Sequence, residues 1–315
     1  MIKRLVYLCY QADYFLRFIY RRVTGHRLVR KSIGRKKVLN TNETNALIVK
    51  LVQSRKPFMV GRMGTIELSS VEHVLQKRLG IKKTVPNTTV KMLCSNAGFF
   101  PPNTECVEHF VDVMLNAIKL ADLLGSWQDN ELYLFKHATN PNVSFCQLRD
   151  IEPTLGDTHS WLTALKGKKV LVIHPYEQSI QRQYAKRLDV FPNGFLPDFE
   201  LKTLKAVQTI AGTKDERFAT WFEALEWMEM QISKIDFDIA LIGCGAYGFP
   251  LAAYVKKIGK QAIHIGGATQ LIFGIMGSRW EEKEYVKRCV NEHWTRPLPE
   301  ETPDKAKSIE NACYW

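Results

Sequence analysis

Apolar residues at Leu5, Cys9, Ala12, Leu16, Ile19 and Val23 recur at helical spacing, with Lys3, Tyr10, Arg17 and Arg21 on the opposite side. This predicts an amphipathic helix at the start of the chain. A second helical pattern follows Asn40-Thr41-Asn42 and runs to Leu51, ahead of Pro57. Phe58-Met59-Val60 is short and wholly apolar, as a buried strand is, and Gly61-Arg62-Met63-Gly64 follows at once. Residues 66–77 then return to helical spacing. The stretch 81–103 is expected to be irregular, because Pro86, Asn87, Asn96, Gly98, Pro101 and Pro102 punctuate it. A long amphipathic helix is predicted from Thr104 to Ile118, and short strands at 131–136 and 143–148.

The second half alternates more cleanly. Val170-Leu171-Val172-Ile173 predicts a strand that stops at His174-Pro175, with a helix over 179–188. A strand is expected at 203–210 and a helix rich in Trp and Met at 218–232. Asp238–Ile242 then reads as a strand, 243–248 as a glycine turn, 250–258 as a helix and 261–265 as a strand. Continuous apolar strands alternating with helices predict an α/β fold: a Rossmann-like, mainly parallel sheet with helices on both faces. The tail after Thr295 closes with Tyr314-Trp315, which is expected to dock on the body.

Charge divides the chain. Its net charge is +12, yet residues 1–37 hold 11 Lys/Arg and one Asp, which is +10. The other 278 residues hold 33 Lys/Arg and 31 Asp/Glu, only +2. We therefore divide the chain into a basic amphipathic arm, 1–37, and one α/β domain, 38–315. Asp13 and Arg17 interrupt the arm's apolar stretch, which excludes a spanning helix. Such a helix either lies on an anionic membrane surface or packs on the body with its basic face in solvent. Seven scattered cysteines without a Cys-x-x-Cys pair argue against a zinc site or a disulfide framework and fit a reducing cytosol.

Three motifs could carry chemistry. Gly243-x-Gly245-x-x-Gly248 sits between strand and helix, where glycines let a phosphate approach helix amides. The acidic residue that a dinucleotide site places on the ribose is missing after Ile263-His264-Ile265-Gly266. Phosphate binding therefore survives and NAD binding is demoted; the plain alternative is a packing turn. In Arg62-x-Gly64-x-x-Glu67, Arg62 offers a planar fork to an anion, Gly64 allows an unusual backbone angle or close approach, and Glu67 falls in a first helical turn. The plain alternative is an Arg62–Glu67 salt bridge capping the helix. His174 ends the strongest strand, where it can donate to a diphosphate, act as acid or base, or simply bond to backbone. His264, Asn96 and Asp157 carry less weight.

Taken together, these segments resemble the GT-D-type bacterial glycosyltransferases. The likeness rests on Phe58–Glu67, which looks like that group's Arg-x-Gly-x-x-Glu signature, on Lys169–Pro175, Ile242–Gly248 and Gly259–Gly267, and on Gln270–Trp280. It implies transfer of a sugar from a nucleotide-diphosphate donor, usually a UDP-sugar, to a glycan or lipid-linked glycan acceptor in cell-surface polysaccharide or glycoconjugate synthesis. Carried onto this chain, it implies catalytic roles for Arg62, Glu67 and His174. Donor contacts are implied at Arg62, Gly64, Thr65, His174, Gly243, Gly245, Tyr247, Gly248 and Gly266. The group's signature carries Asp-x-Glu, whose carboxylates serve a divalent metal; here Glu67 matches the second carboxylate and Thr65 replaces the Asp. A Mn2+ or Mg2+ ion at Glu67 is thus weakened as an expectation, and neither NAD nor flavin is expected. The implied location is cytoplasmic, peripheral at the inner face of the membrane through residues 1–37. The rival classes are an NAD(P)-binding oxidoreductase built on the glycine turn and a non-enzymatic nucleic-acid-binding protein using the arm. The near-neutral body speaks against nucleic acid as a partner.

Overall fold

A computed structural model describes residues 2–213, 215–303, 306 and 313–315. Among the described residues nine strands form one sheet in the order β1-β2-β5-β4-β3-β9-β8-β6-β7. They are β1 (Ser32–Ile33), β2 (Lys36–Leu39), β3 (Phe58–Gly61), β4 (Leu123–Ser126), β5 (Ser144–Gln147), β6 (Lys169–His174), β7 (Glu200–Lys205), β8 (Ile239–Ile242) and β9 (Gln261–His264). Only β1 and β2 pair antiparallel; every other pairing is parallel.

The apolar strands are buried on both faces. Side chains alternate across a strand, so Met59, Leu171, Ile173, Ala240 and Ile242 enter one core and Phe58, Val60, Val170, Val172 and Leu241 the other. Helices α3 (Thr65–Arg78), α4 (Asn87–Ala97) and α5 (Thr104–Ile118) cover the first face, while α2 (Thr41–Gln53) covers the second. From β3 the chain runs outward to β4 and β5. Its second half, β6 to β9, fills the other side of β3, so β3 and β9 meet at a topological switch point.

Several local expectations are corrected. Residues 81–103 contain α4, which starts after Pro86 and ends at Gly98 with φ 74°; the punctuating residues are its boundaries. The alternating run at 131–136 is helical, over Leu132–His137, and the strand lies earlier, at β4. The strand expected at 203–210 is displaced to β7, leaving 206–209 as a loop. The cap of α2 is stronger than its Thr-x-x-Asn reading: Asn40 accepts from the Glu43 amide while Glu43 accepts from the Asn40 amide. The sheet also begins inside the arm, since β1 and the start of β2 precede residue 38.

The arm's helix α1 (Ile2–Thr24) packs on the body through the side opposite its apolar stripe. Tyr7 is buried, meets Tyr133 edge-on at 4.8 Å and accepts from Gln76 at 3.2 Å. Tyr10 packs on Tyr133 and His137, and Gln11 donates to Glu72. Both Arg17 and Arg30 pair with Asp13. No helix among the described residues is long and apolar enough to cross a membrane.

Candidate functional site

Six neighbouring parallel strands, from β4 across to β7, end on one side of the sheet, and the loops after them wall a cavity of about 390 Å³. Ligands of open α/β sheets sit at such carboxyl ends. Arg62, Gly64, Thr65 and Glu67 follow β3; Gly266 and Gly267 follow β9; Gly243, Gly245 and Tyr247 follow β8; His174 ends β6. Trp127 arrives from β4 and residues 207–210 from β7.

The loop after β3 is held in place from β4. Trp127 Nε1–H donates to the Met63 carbonyl at 3.0 Å, and the Trp127 amide donates to the buried Glu131 carboxylate, also at 3.0 Å. Burial pushes the Glu131 carboxyl up to about 7, against hydrogen bonds from Ser126 and the amides of Gln128 and Trp127. Arg62 leaves this loop with its guanidinium carbon 6.0 Å from the Trp127 ring centre.

Arg62 and Glu67 form no salt bridge. Among the described residues Arg62 has no hydrogen-bond or ion-pair partner, and its Nε is buried without one. Its fork lies against Gly266, where φ is +61° and an added Cβ would sit 2.1 Å from Nη2. Only glycine both adopts that angle and leaves room for the guanidinium. Gly64 has an ordinary φ of −72°, so its unusual-angle reading is corrected. What it supplies is space: a Cβ there would lie 2.0 Å from Glu67 Oε2, because the carboxylate folds back over the start of α3. Desolvation raises the Glu67 pKa, with Arg62 and the residue's own amide opposing.

At β6, His174 Nδ1 accepts from the Tyr176 amide at 3.1 Å. Burial lowers its pKa to about 3. The imidazole is therefore neutral near pH 7 with its proton on Nε2, a donor and not a base. Gly243 lies where three loops converge, and a Cβ would meet the Gly266 carbonyl, Thr269 and His174 within 2.8 Å. Tyr247 stacks on Trp221 at 4.9 Å and 8°.

Gly248 is the one sequence-assigned residue outside the cavity lining. A Cβ there would meet the His264 ring at 2.3 Å, while His264 Nδ1 bonds the Ile242 carbonyl. It is a packing glycine. Among the described residues Glu67 is the only acidic side chain in the lining, and no group of three or more His, Cys, Asp or Glu side chains converges. That donor set does not make a divalent-metal site by itself.

The GT-D fold-like domain family matches residues 39–272, well over half of the chain. The chain belongs to the GT-D-like family. No curated protein matches it in sequence. Two solved structures resemble it at 13% and 12% identity with TM-scores of 0.48 and 0.46, each match covering 86% of this chain and 94% of the other. One is a selenomethionine-substituted structure of domain of unknown function 1792; the other describes that domain as having a distinct glycosyltransferase fold.

Several lining residues were not assigned to the site from sequence: Trp127, Thr209, Gln270, Arg279 and Tyr314. Trp127 was readable in principle, since it follows a strand end, but only once β4 is placed at 123–126. Arg279 packs over Tyr314 at 4.5 Å and donates to its hydroxyl at 3.1 Å, which brings the tail to the cavity. Gln270 donates to the Ile275 and Tyr314 carbonyls and keeps a buried, unpartnered Oε1.

Proposed function

We propose that the cavity binds a nucleotide-diphosphate sugar, with UDP-sugars first in line, and transfers its sugar to a hydroxyl of a glycan or lipid-linked acceptor. The observation that carries this reading is the Arg62 guanidinium at the switch point, which has no hydrogen-bond or ion-pair partner among the described residues, in a lining whose described charged side chains are two arginines and one glutamate. Arg62 is half-buried and its buried Nε lacks a hydrogen-bond partner, which an anionic ligand would supply.

Glycosyl transfer places negative charge on the departing diphosphate. Arg62 meets that charge with a planar fork, the neutral His174 donates from Nε2, and backbone at Gly243 and Gly245 approaches without side chains in the way. Glu67 serves as the base that takes the acceptor hydroxyl proton; its raised pKa and lack of a hydrogen-bonded side-chain partner suit that role. The dinucleotide alternative gains no support, because β9 ends at His264 without a carboxylate for a ribose.

A thermal-shift panel of nucleotide sugars and NAD(P), each with and without manganese, tests the proposal. Stabilisation by UDP or a UDP-sugar is expected, and stabilisation by NAD(P) alone would sink it.

A further inference from the structure

We propose that α1 is a docking surface for an anionic lipid bilayer, with its outward apolar stripe entering the interface and flanking arginines meeting the headgroups. The way the helix is fastened decides this. Tyrosines and Gln11 hold it to the body from one side, and among the described residues nothing covers the stripe on the other. Leu5, Leu16 and Val23 are 65%, 67% and 78% exposed, and Phe15 is 59% exposed. With 23 residues the helix is about 34 Å long, and the stripe runs its length.

Charge identifies the occupant. Arg4 and Arg22 are exposed and form no ion pair among the described residues, whereas Arg17, Arg27 and Arg30 are already paired with Asp13 or Asp129. By helical spacing Arg4 and Arg22 border the apolar stripe near its two ends. A second protein surface would need matching apolar and acidic groups in register. An anionic bilayer supplies both without register, which suits a stripe edged with arginine. The docked side also bears on the cavity: Gln11 grips Glu72, five residues along α3 from Glu67. Bilayer binding through α1 would hold the candidate site one helix away from the lipid surface. The inference stands apart from the donor reading, since vesicle binding is measured without any nucleotide.

The test is co-sedimentation of the full chain with phosphatidylcholine vesicles with or without phosphatidylglycerol. Binding is expected only with phosphatidylglycerol and should weaken with salt. Each cation near an anionic surface is about fivefold in partitioning, so Arg4→Gln with Arg22→Gln should weaken binding about thirtyfold. Leu16→Glu with Ile19→Glu should abolish it, while the melting temperature stays that of the wild type because both side chains are exposed. Absence of binding to phosphatidylglycerol vesicles overturns the proposal, as does binding that survives the glutamates. A dimer that the glutamates dissociate, with no vesicle binding, would assign the stripe to a second copy instead.

Discussion

Replacing Gly266 with alanine should damage nucleotide binding without touching a charge. The new Cβ would lie 2.1 Å from Arg62 Nη2 and 2.8 Å from its Cζ, well inside contact distance. The guanidinium is the flexible end of a long side chain, so it swings away and the backbone stays. Alanine at φ +61° adds strain of about 1 kcal/mol, which for a chain of this size lowers the melting temperature by only about 2 °C. The fold survives while the fork leaves its place. A hydrogen bond to a charged group contributes about 1.5–3 kcal/mol, so UDP affinity should fall roughly ten- to a hundredfold. Isothermal titration with UDP reads this directly. Arg62→Ala should show a similar loss, and the double variant should be no worse than Arg62→Ala alone, because both substitutions remove one interaction. Wild-type affinity in Gly266→Ala, or losses that multiply in the double variant, would refute the placement of the diphosphate at Arg62.

Three further outcomes are expected. Glu67→Gln should slow donor turnover by about a hundredfold or more, as loss of a general base does, while UDP affinity changes little; equal turnover would remove Glu67 from the chemistry. Gly248→Ala should destabilise the fold by about 1–3 kcal/mol through overpacking on His264, with UDP affinity of the folded fraction unchanged, as thermal melts and titration would report together. Glu131 should make stability fall as pH rises. Its native carboxyl, at about 7, still holds a proton between pH 4.5 and 7 that the unfolded chain has released. The wild type therefore loses on the order of 3 kcal/mol across that window, and Glu131→Gln should flatten the profile and be the more stable form at pH 8. Melting curves from pH 5 to 8 check this, and parallel profiles would contradict it.

What the sequence made legible follows from how local the signals are. Strands β3, β6, β8 and β9 are mostly apolar because helices cover both their faces, and each ends at or just before a glycine or histidine, namely Gly61, His174, Gly243 and His264. The cavity could therefore be outlined from Arg62, His174, Gly243 and Gly266 before their contacts were known. By contrast, β4 reads Leu-Leu-Gly-Ser, with only two large apolar residues close behind the long apolar helix Thr104–Ile118, and does not stand out from it. Losing β4 lost Trp127, which clamps the Met63 carbonyl. The arm misled for a different reason. Its apolar stripe predicted correctly which residues share a face, but not which face the body takes, because Tyr133, His137 and Gln76 offer partners to tyrosine and not to leucine. Long-range contacts of that kind leave no trace in spacing. Gly248 fitted a ligand-binding pattern by position, and its actual role depends on His264, which arrives from the next strand.

Where a nucleotide sits decides whether this cavity is a donor site. Crystals of the protein soaked with UDP would place it most directly. The diphosphate is predicted within hydrogen-bond reach of the Arg62 guanidinium, beside Gly243 and Gly266 and facing His174 Nε2. Density for the nucleotide elsewhere, with Arg62 still unpartnered, would contradict the assignment of this cavity as the donor site.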